Sequence, residues 1–122
     1  MTQEDKELLL RDLCARLRYG VVFKDEHDEN LEIHYIKDEE IYTRTYPHLS
    51  YWIETIKPYL RPMSSMTKEE KKELWELLKK LGMISDVKRL DWLVAHHFDI
   101  RNLIEKGLAL EAPEGMYNVK EK

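Results

Sequence analysis

The sequence predicts an α+β fold: an N-terminal helix, a small antiparallel sheet of three or four strands, then two or three short C-terminal helices. Three observations carry that prediction. Apolar residues recur at helical spacing before Arg18, and again after Thr67. Between Val21 and Ile56, β-branched and aromatic residues fall in short runs separated by charged turns, which favours strands. With 122 residues, 43% of them hydrophobic, the chain can bury a core without metal or disulfide staples. One α+β domain is expected over residues 1–113, with 114–122 a tail that docks only if Met116, Tyr117 or Val119 packs.

The first helix is expected from Thr2 to Arg18. Leu9, Leu10, Leu13, Cys14 and Leu17 form its apolar stripe, while Glu4, Lys6, Glu7, Arg11 and Arg16 take the other faces. Cys14 is read as a small buried hydrophobe for that reason. Thr2 is the expected cap, accepting from the Asp5 amide, and Gly20 ends the helical segment with positive φ.

Four strands are expected, at Gly20–Lys24, Leu31–Lys37, Ile41–Thr45 and Tyr51–Ile56. In the second, Leu31, Ile33 and Tyr35 alternate with Glu32, His34 and Ile36, giving one mostly apolar face. Tight polar turns make a meander of neighbouring antiparallel strands the economical topology, with Pro47 and Pro58 breaking the ladder at its ends. The order of elements resembles Sm-like and SH3-like barrels, so a barrel-like closure is an alternative; a shared layout transfers no function.

Residues 57–66, with prolines at Pro58 and Pro62, read as an extended connector whose Tyr59, Leu60, Met63 and Met66 pack on the core. Thr67-Lys-Glu-Glu70 is a capping box, Leu74, Leu77, Leu78 and Leu81 form a stripe, and Gly82 stops the helix with Met83 closing the cap. A third helix is expected from Ser85 to His97 with Val87, Leu90, Leu93 and Val94 inward. A short fourth is expected after Asp99, using Ile100, Leu103 and Ile104 and ending at Gly107.

Charge and motif content exclude several function classes. A formal charge of −4 argues against attachment to nucleic acid by bulk charge. No apolar run reaches the roughly 18–20 residues of a membrane span. The single cysteine and the charged N-terminus MTQEDKELLL point to a reducing cytoplasm. P-loop, GxGxxG, CxxC, HExxH and GxSxG patterns do not occur, so no catalytic residue, cofactor or metal site is assigned and the chain is not read as an enzyme. Adjacent helical residues such as His96 and His97 point about 100° apart and seldom chelate one ion, so they are read as helix-end groups on terminal carbonyls.

Two surfaces remain as candidates. Between Asp25 and Glu40 eight acidic residues face one lysine. Of these, Asp25, Glu26, Asp28, Glu29, Asp38, Glu39 and Glu40 form an acidic band suited to a basic protein partner. The alternative is an aromatic and cationic sheet face for nucleic acid, using Tyr42, Arg44, Tyr59 and Arg61. Trp52, Trp75 and Trp92 are expected as core anchors, although Trp75 lies off the leucine stripe.

The segments KPYLRPMSSMT (57–67), DWLVAHHFDIR (91–101) and LIEKGLALEAPEGMY (103–117), with the opening Glu4–Leu17, resemble a family of uncharacterised small proteins encoded by gut anaerobic bacteria and their phages. Residues 21–55 have no counterpart in that resemblance. It implies a cytoplasmic protein borne by a phage or mobile element, and no site residue. The expected function is a protein-interaction or adaptor module, the alternative a nucleic-acid or nucleotide-binding module. A third possibility is self-association through a sheet edge or the leucine-rich helices.

Overall fold

The computed structural model describes residues 1–81 and 85–117. Helix α1 (Gln3–Arg16) leads through a short 3-10 turn into strands β1 (Val22–Lys24), β2 (Asn30–Lys37), β3 (Glu40–Thr43) and β4 (Ser50–Trp52). Strand β5 (Lys57–Leu60), helices α2 (Lys68–Leu81) and α3 (Ser85–Ala95), and strand β6 (Leu110–Glu111) follow. The α+β class holds, and the sheet is open rather than barrel-like, with order β4-β3-β2-β1-β5-β6. All its pairings are antiparallel except β5 with β6.

The expected meander forms β1 to β4, with shorter outer strands. The third strand stops at Thr43, and the fourth at Trp52, where Ile53–Thr55 turns as a 3-10 segment. The supposed connector 57–66 is the main correction. Its first four residues form β5, which pairs with β1 on one side and β6 on the other. Pro58 is tolerated because β6 pairs only with Tyr59 and Leu60, so no ladder bond is asked of the missing N–H. Strand β6 has two residues, too few for any periodic signal.

A bulge in β2 also departs from simple alternation. Ile33 pairs with Thr43 but Tyr35 with Tyr42, which leaves His34 extra on the β2 side. One added residue reverses the facing of everything after it. Ile36 therefore packs against the core, while Tyr35 stands exposed on the outer face.

The inner face of the sheet is covered by α1 and by the segment after α3. Leu9 and Leu13 share one buried cluster with Phe23, Ile33, Ile41, Ile53 and Leu60, which Leu103, Leu108 and Ala109 complete. Thr2 caps α1 through the Asp5 amide, and Gly20 takes φ 75°, both as expected. The buried stripe of α1 is nonetheless rotated from the predicted one. Arg16 is fully buried with Asp12, and Cys14 is exposed. The cause is an i, i+4 ion pair on the core-facing side: Asp12 accepts from Arg16 Nε at 2.7 Å and Nη2 at 3.1 Å, and from Arg101 Nη1 at 2.7 Å. Arg16 Nη2 also donates to the Phe98 carbonyl at 2.7 Å. Once this cluster turns inward, Cys14 lies too far round the helix to be covered.

The helices α2 and α3 form a hairpin with its own small core, instead of lying across the sheet. Trp92, Leu93 and Phe98 are buried there, with Met66, Leu74, Leu77 and Ile100 around them. The capping box is present: the Glu70 amide donates to Thr67 Oγ1, and Glu70 Oε1 accepts from the Thr67 amide. The expected stop at Gly82 and Met83 lies outside the described residues. Helix α3 ends at Ala95. His97 takes the left-handed position at φ 67°, with Phe98 N–H on the Leu93 carbonyl and His97 N–H on the Val94 carbonyl, a Schellman ending without glycine.

No fourth helix forms; residues 100–107 make turns. The Asp99 carboxylate accepts from the Leu103 and Ile104 amides, and so takes up backbone donors within the turn itself. The C-terminal segment is docked through Tyr117. Its hydroxyl accepts from the Val22 amide at 2.7 Å and donates to the Tyr59 carbonyl at 2.9 Å, bridging β1 and β5. Its ring stacks on His97 at 3.7 Å. Val119 lies outside the described residues. Among those residues no helix is long and apolar enough to cross a membrane.

Candidate interaction surfaces

The acidic residues do not form one band. Asp25, Glu26, Asp28 and Glu29 precede β2, and Asp38 and Glu39 follow it. Its eight residues, at roughly 3.3 Å per step, place the two groups roughly 23 Å apart. Several of the carboxylates serve the turns themselves. Asp25 is buried, and its Oδ1 accepts from the His27 and Glu29 amides. Glu29 accepts from the Tyr46 hydroxyl, Asp28 meets Lys24, and Glu40 accepts from the Tyr42 hydroxyl. Lys6 meets Glu54 at 2.8 Å and Glu39 at 3.3 Å, and these bonds raise the Lys6 pKa, Glu54 contributing most. Glu26 and Asp38 stay exposed.

The aromatic and cationic set is divided as well. Tyr59 is buried and donates to Asn30 Oδ1. Arg61 grips Glu70 with two hydrogen bonds of 2.7 Å, and its guanidinium lies 4.1 Å from the centre of the Phe98 ring. That pairing holds the Glu70 carboxyl at about 2, with burial opposing. Neither Tyr59 nor Arg61 is available to a phosphate. Tyr42, half-buried on β3, and Arg44, exposed just past the end of that strand, remain, and the bulge adds a residue that alternation turns inward. Tyr35 stacks on Tyr42 at 4.6 Å with the planes 3° apart. Trp52 is exposed on β4, one strand beyond Glu40, where a core anchor was expected.

The helical hairpin exposes the third apolar set. On α3, Val87, Leu90 and Val94 share one side at spacings of three and four. Val94 is 6% exposed, Leu90 46% and Val87 72%. One stripe thus begins against the body and runs off it. On α2, Trp75 is 61% exposed, so it too is no core anchor, although Leu74 and Leu77 beside it pack around Trp92. A groove of about 510 Å³ lies between α2 and Trp92, lined by the stems of Lys72, Glu73, Glu76 and Lys80 with Leu77. Exposed apolar side chains gathered on one protruding element mark interaction sites more often than scattered ones do.

A larger cleft of about 950 Å³ opens where α2 begins, between Arg61, Glu69, Glu73, His96 and the segment Glu111–Tyr117. His96 stacks on Trp92 and sets Nδ1 2.9 Å from the Trp92 carbonyl, the helix-end contact expected of it. His97 is buried, and burial, with the positive charges of Arg16 and Arg61 nearby, lowers its pKa to about 4. Burial likewise pushes the Tyr117 hydroxyl up. Among the described residues no three His, Cys, Asp or Glu side chains converge as metal ligands. The one strong signal missed in the sequence is the buried Asp12, Arg16 and Arg101 cluster, visible there only as an i, i+4 pair.

No family model, curated protein or solved structure matches this chain.

Proposed function

We propose that the protein is a protein-interaction module whose docking surface is the distal half of the α2–α3 hairpin. One observation carries the reading: the apolar stripe Val94, Leu90, Val87 continues past the edge of the protein's own core, with Trp75 exposed on the neighbouring helix. Burying such side chains on a partner recovers the hydrophobic energy that folding leaves unused, roughly 25 cal/mol per Å² of apolar area. Tryptophan is also enriched among the residues that dominate binding energy. The acidic turns supply two separate charged rims outside this surface. A phage or mobile-element origin belongs to the same proposal and rests on the resemblance of residues 57–117.

The test is capture of partners from the lysate of native cells by three baits: the chain as it stands, a W75S/V87S/L90S variant, and an E26K/D38K variant. A protein retained by the first and third baits but lost with the second supports the reading. Equal retention by all three overturns it.

A second reading has its own support in the stacked Tyr35–Tyr42 pair beside Trp52, a platform on which unpaired bases stack. Single-stranded oligonucleotides would then bind with an affinity that falls with salt and with Arg44→Ala. Salt-independent absence of binding rejects it.

A further inference from the structure

The 510 Å³ groove and the 950 Å³ cleft share two lining residues, Glu69 and Glu73, so they join along α2 into one trough. Leu77 and Trp92 supply the apolar part of the groove end, and Lys72, Glu76 and Lys80 its charged part. From Glu69 to Lys80 the helix rises roughly 16 Å, at about 1.5 Å per residue, which is the length of roughly five extended residues. Trp75, Val87 and Leu90 line neither cavity, so the trough is separate from the hairpin surface proposed above.

The two ends differ in charge. Lys72 and Lys80 line only the groove, and no lysine lines the cleft. Arg61, the one arginine of the cleft, spends its charge on Glu70 through two hydrogen bonds of 2.7 Å. Glu69, Glu73, Glu111 and Glu114 are exposed, and none of them forms an ion pair among the described residues. A cleft walled by charge of one sign concentrates counter-ions. These carboxylates do not converge as metal ligands, so they suit cations carried along a chain better than a single ion. Trp92 Nε1 donates to Glu73 Oε2 at 3.3 Å, and that bond links the apolar end of the trough to the acidic end.

We propose that this trough docks an extended basic segment of a partner protein. An apolar side chain of the segment seats against Leu77 and Trp92, and its lysine or arginine side chains enter the cleft among Glu69, Glu73, Glu111 and Glu114. The apolar contact supplies burial, while the charges fix the direction in which the segment lies, because Lys72 and Lys80 repel its cations from the groove end.

Three labelled peptides added to the full chain test this: GKRKLLG, GKRKSSG without the apolar pair, and GEDELLG without the cations. Fluorescence anisotropy should show GKRKLLG binding, with the other two about tenfold weaker or worse. Its affinity should fall with salt and drop about tenfold in E69K/E111K. The equally charge-reversed E26K/D38K should bind it as the wild type does. On the wild type, the Trp92 indole N–H resonance should move on titration while those of Trp52 and Trp75 stay. No binding of GKRKLLG, equal binding of all three peptides, or equal loss in both charge-reversed variants would overturn the proposal. So would a shift at Trp75 or Trp52 with Trp92 unmoved. The spectrum of the wild type decides the question even where E69K/E111K fails to fold.

Discussion

Asp12 sits at zero exposure between two guanidinium groups, so its removal leaves Arg16 charged and buried without a counterion. Breaking such a buried pair from one side costs about 3–5 kcal/mol. Asp12→Ala should therefore lose about that much in urea unfolding, and a loss under 1 kcal/mol would contradict the account. The buried histidine predicts a pH dependence whose sign is definite. Its folded pKa of about 4 lies below the ordinary 6.5, so between those values the unfolded chain holds a proton that the native state does not. Stability falls as pH drops from 6.5 to 4, by about 3 kcal/mol at the full extent. The Glu70 carboxylate, held at about 2 by Arg61, adds a further loss below pH 4.5. Melting temperatures at pH 7 and pH 5 should differ for the wild type and converge for His97→Phe. At this scale the sequence was hard to read, because Cys14 and Arg16 exchange their expected environments. An arginine reads as solvent-facing until its partner four residues back is known to turn inward with it.

At the scale of elements, the signals that survive folding are those made by neighbours in the chain. Thr67 and Glu70 satisfy each other's amides whatever else packs around them, and Thr2 Oγ1 accepts from the Asp5 amide in the same local way. Thr67→Ala should cost about 0.5–2 kcal/mol in thermal unfolding, with the loss felt first in α2. An unchanged curve would place the helix start elsewhere. Elements that depend on distant partners leave no such local signal. Strand β5 exists because β1 and β6 bracket it, and its two-proline surroundings hide it from any periodic reading. The bulge at His34 likewise needs β3 for its definition, and it converts Tyr35 from an expected core residue into half of an exposed stacked pair. The missing fourth helix follows the same rule, since the Asp99 carboxylate takes the Leu103 and Ile104 amides within a turn.

For the whole molecule, the α+β class and the order of its first elements were legible from periodicity and turn chemistry. The candidate surfaces were legible only in part. Composition located the acidic residues but could not show that β2 holds them apart, and interleaved aromatics and cations could not show that Tyr59 and Arg61 are spent internally. The α3 side Val87, Leu90 and Val94 is legible from its helical spacing, yet how far the body covers it is a property of the assembled fold. Because Trp75, Val87 and Leu90 rest on solvent, W75S/V87S/L90S should shift unfolding by no more than about 0.5 kcal/mol per site while abolishing capture of the partner. A large loss of stability would show that the stripe is core rather than interface. The most direct test of the hairpin as docking surface is hydrogen exchange on the chain alone and in its captured complex. The account predicts slowed exchange in α2 around Trp75 and in α3 from Val87 to Leu90, with the turns at Asp25–Glu29 and Asp38–Glu39 unchanged. Protection confined to those turns or to the outer face of β3 and β4, with the hairpin exchanging as before, would contradict it.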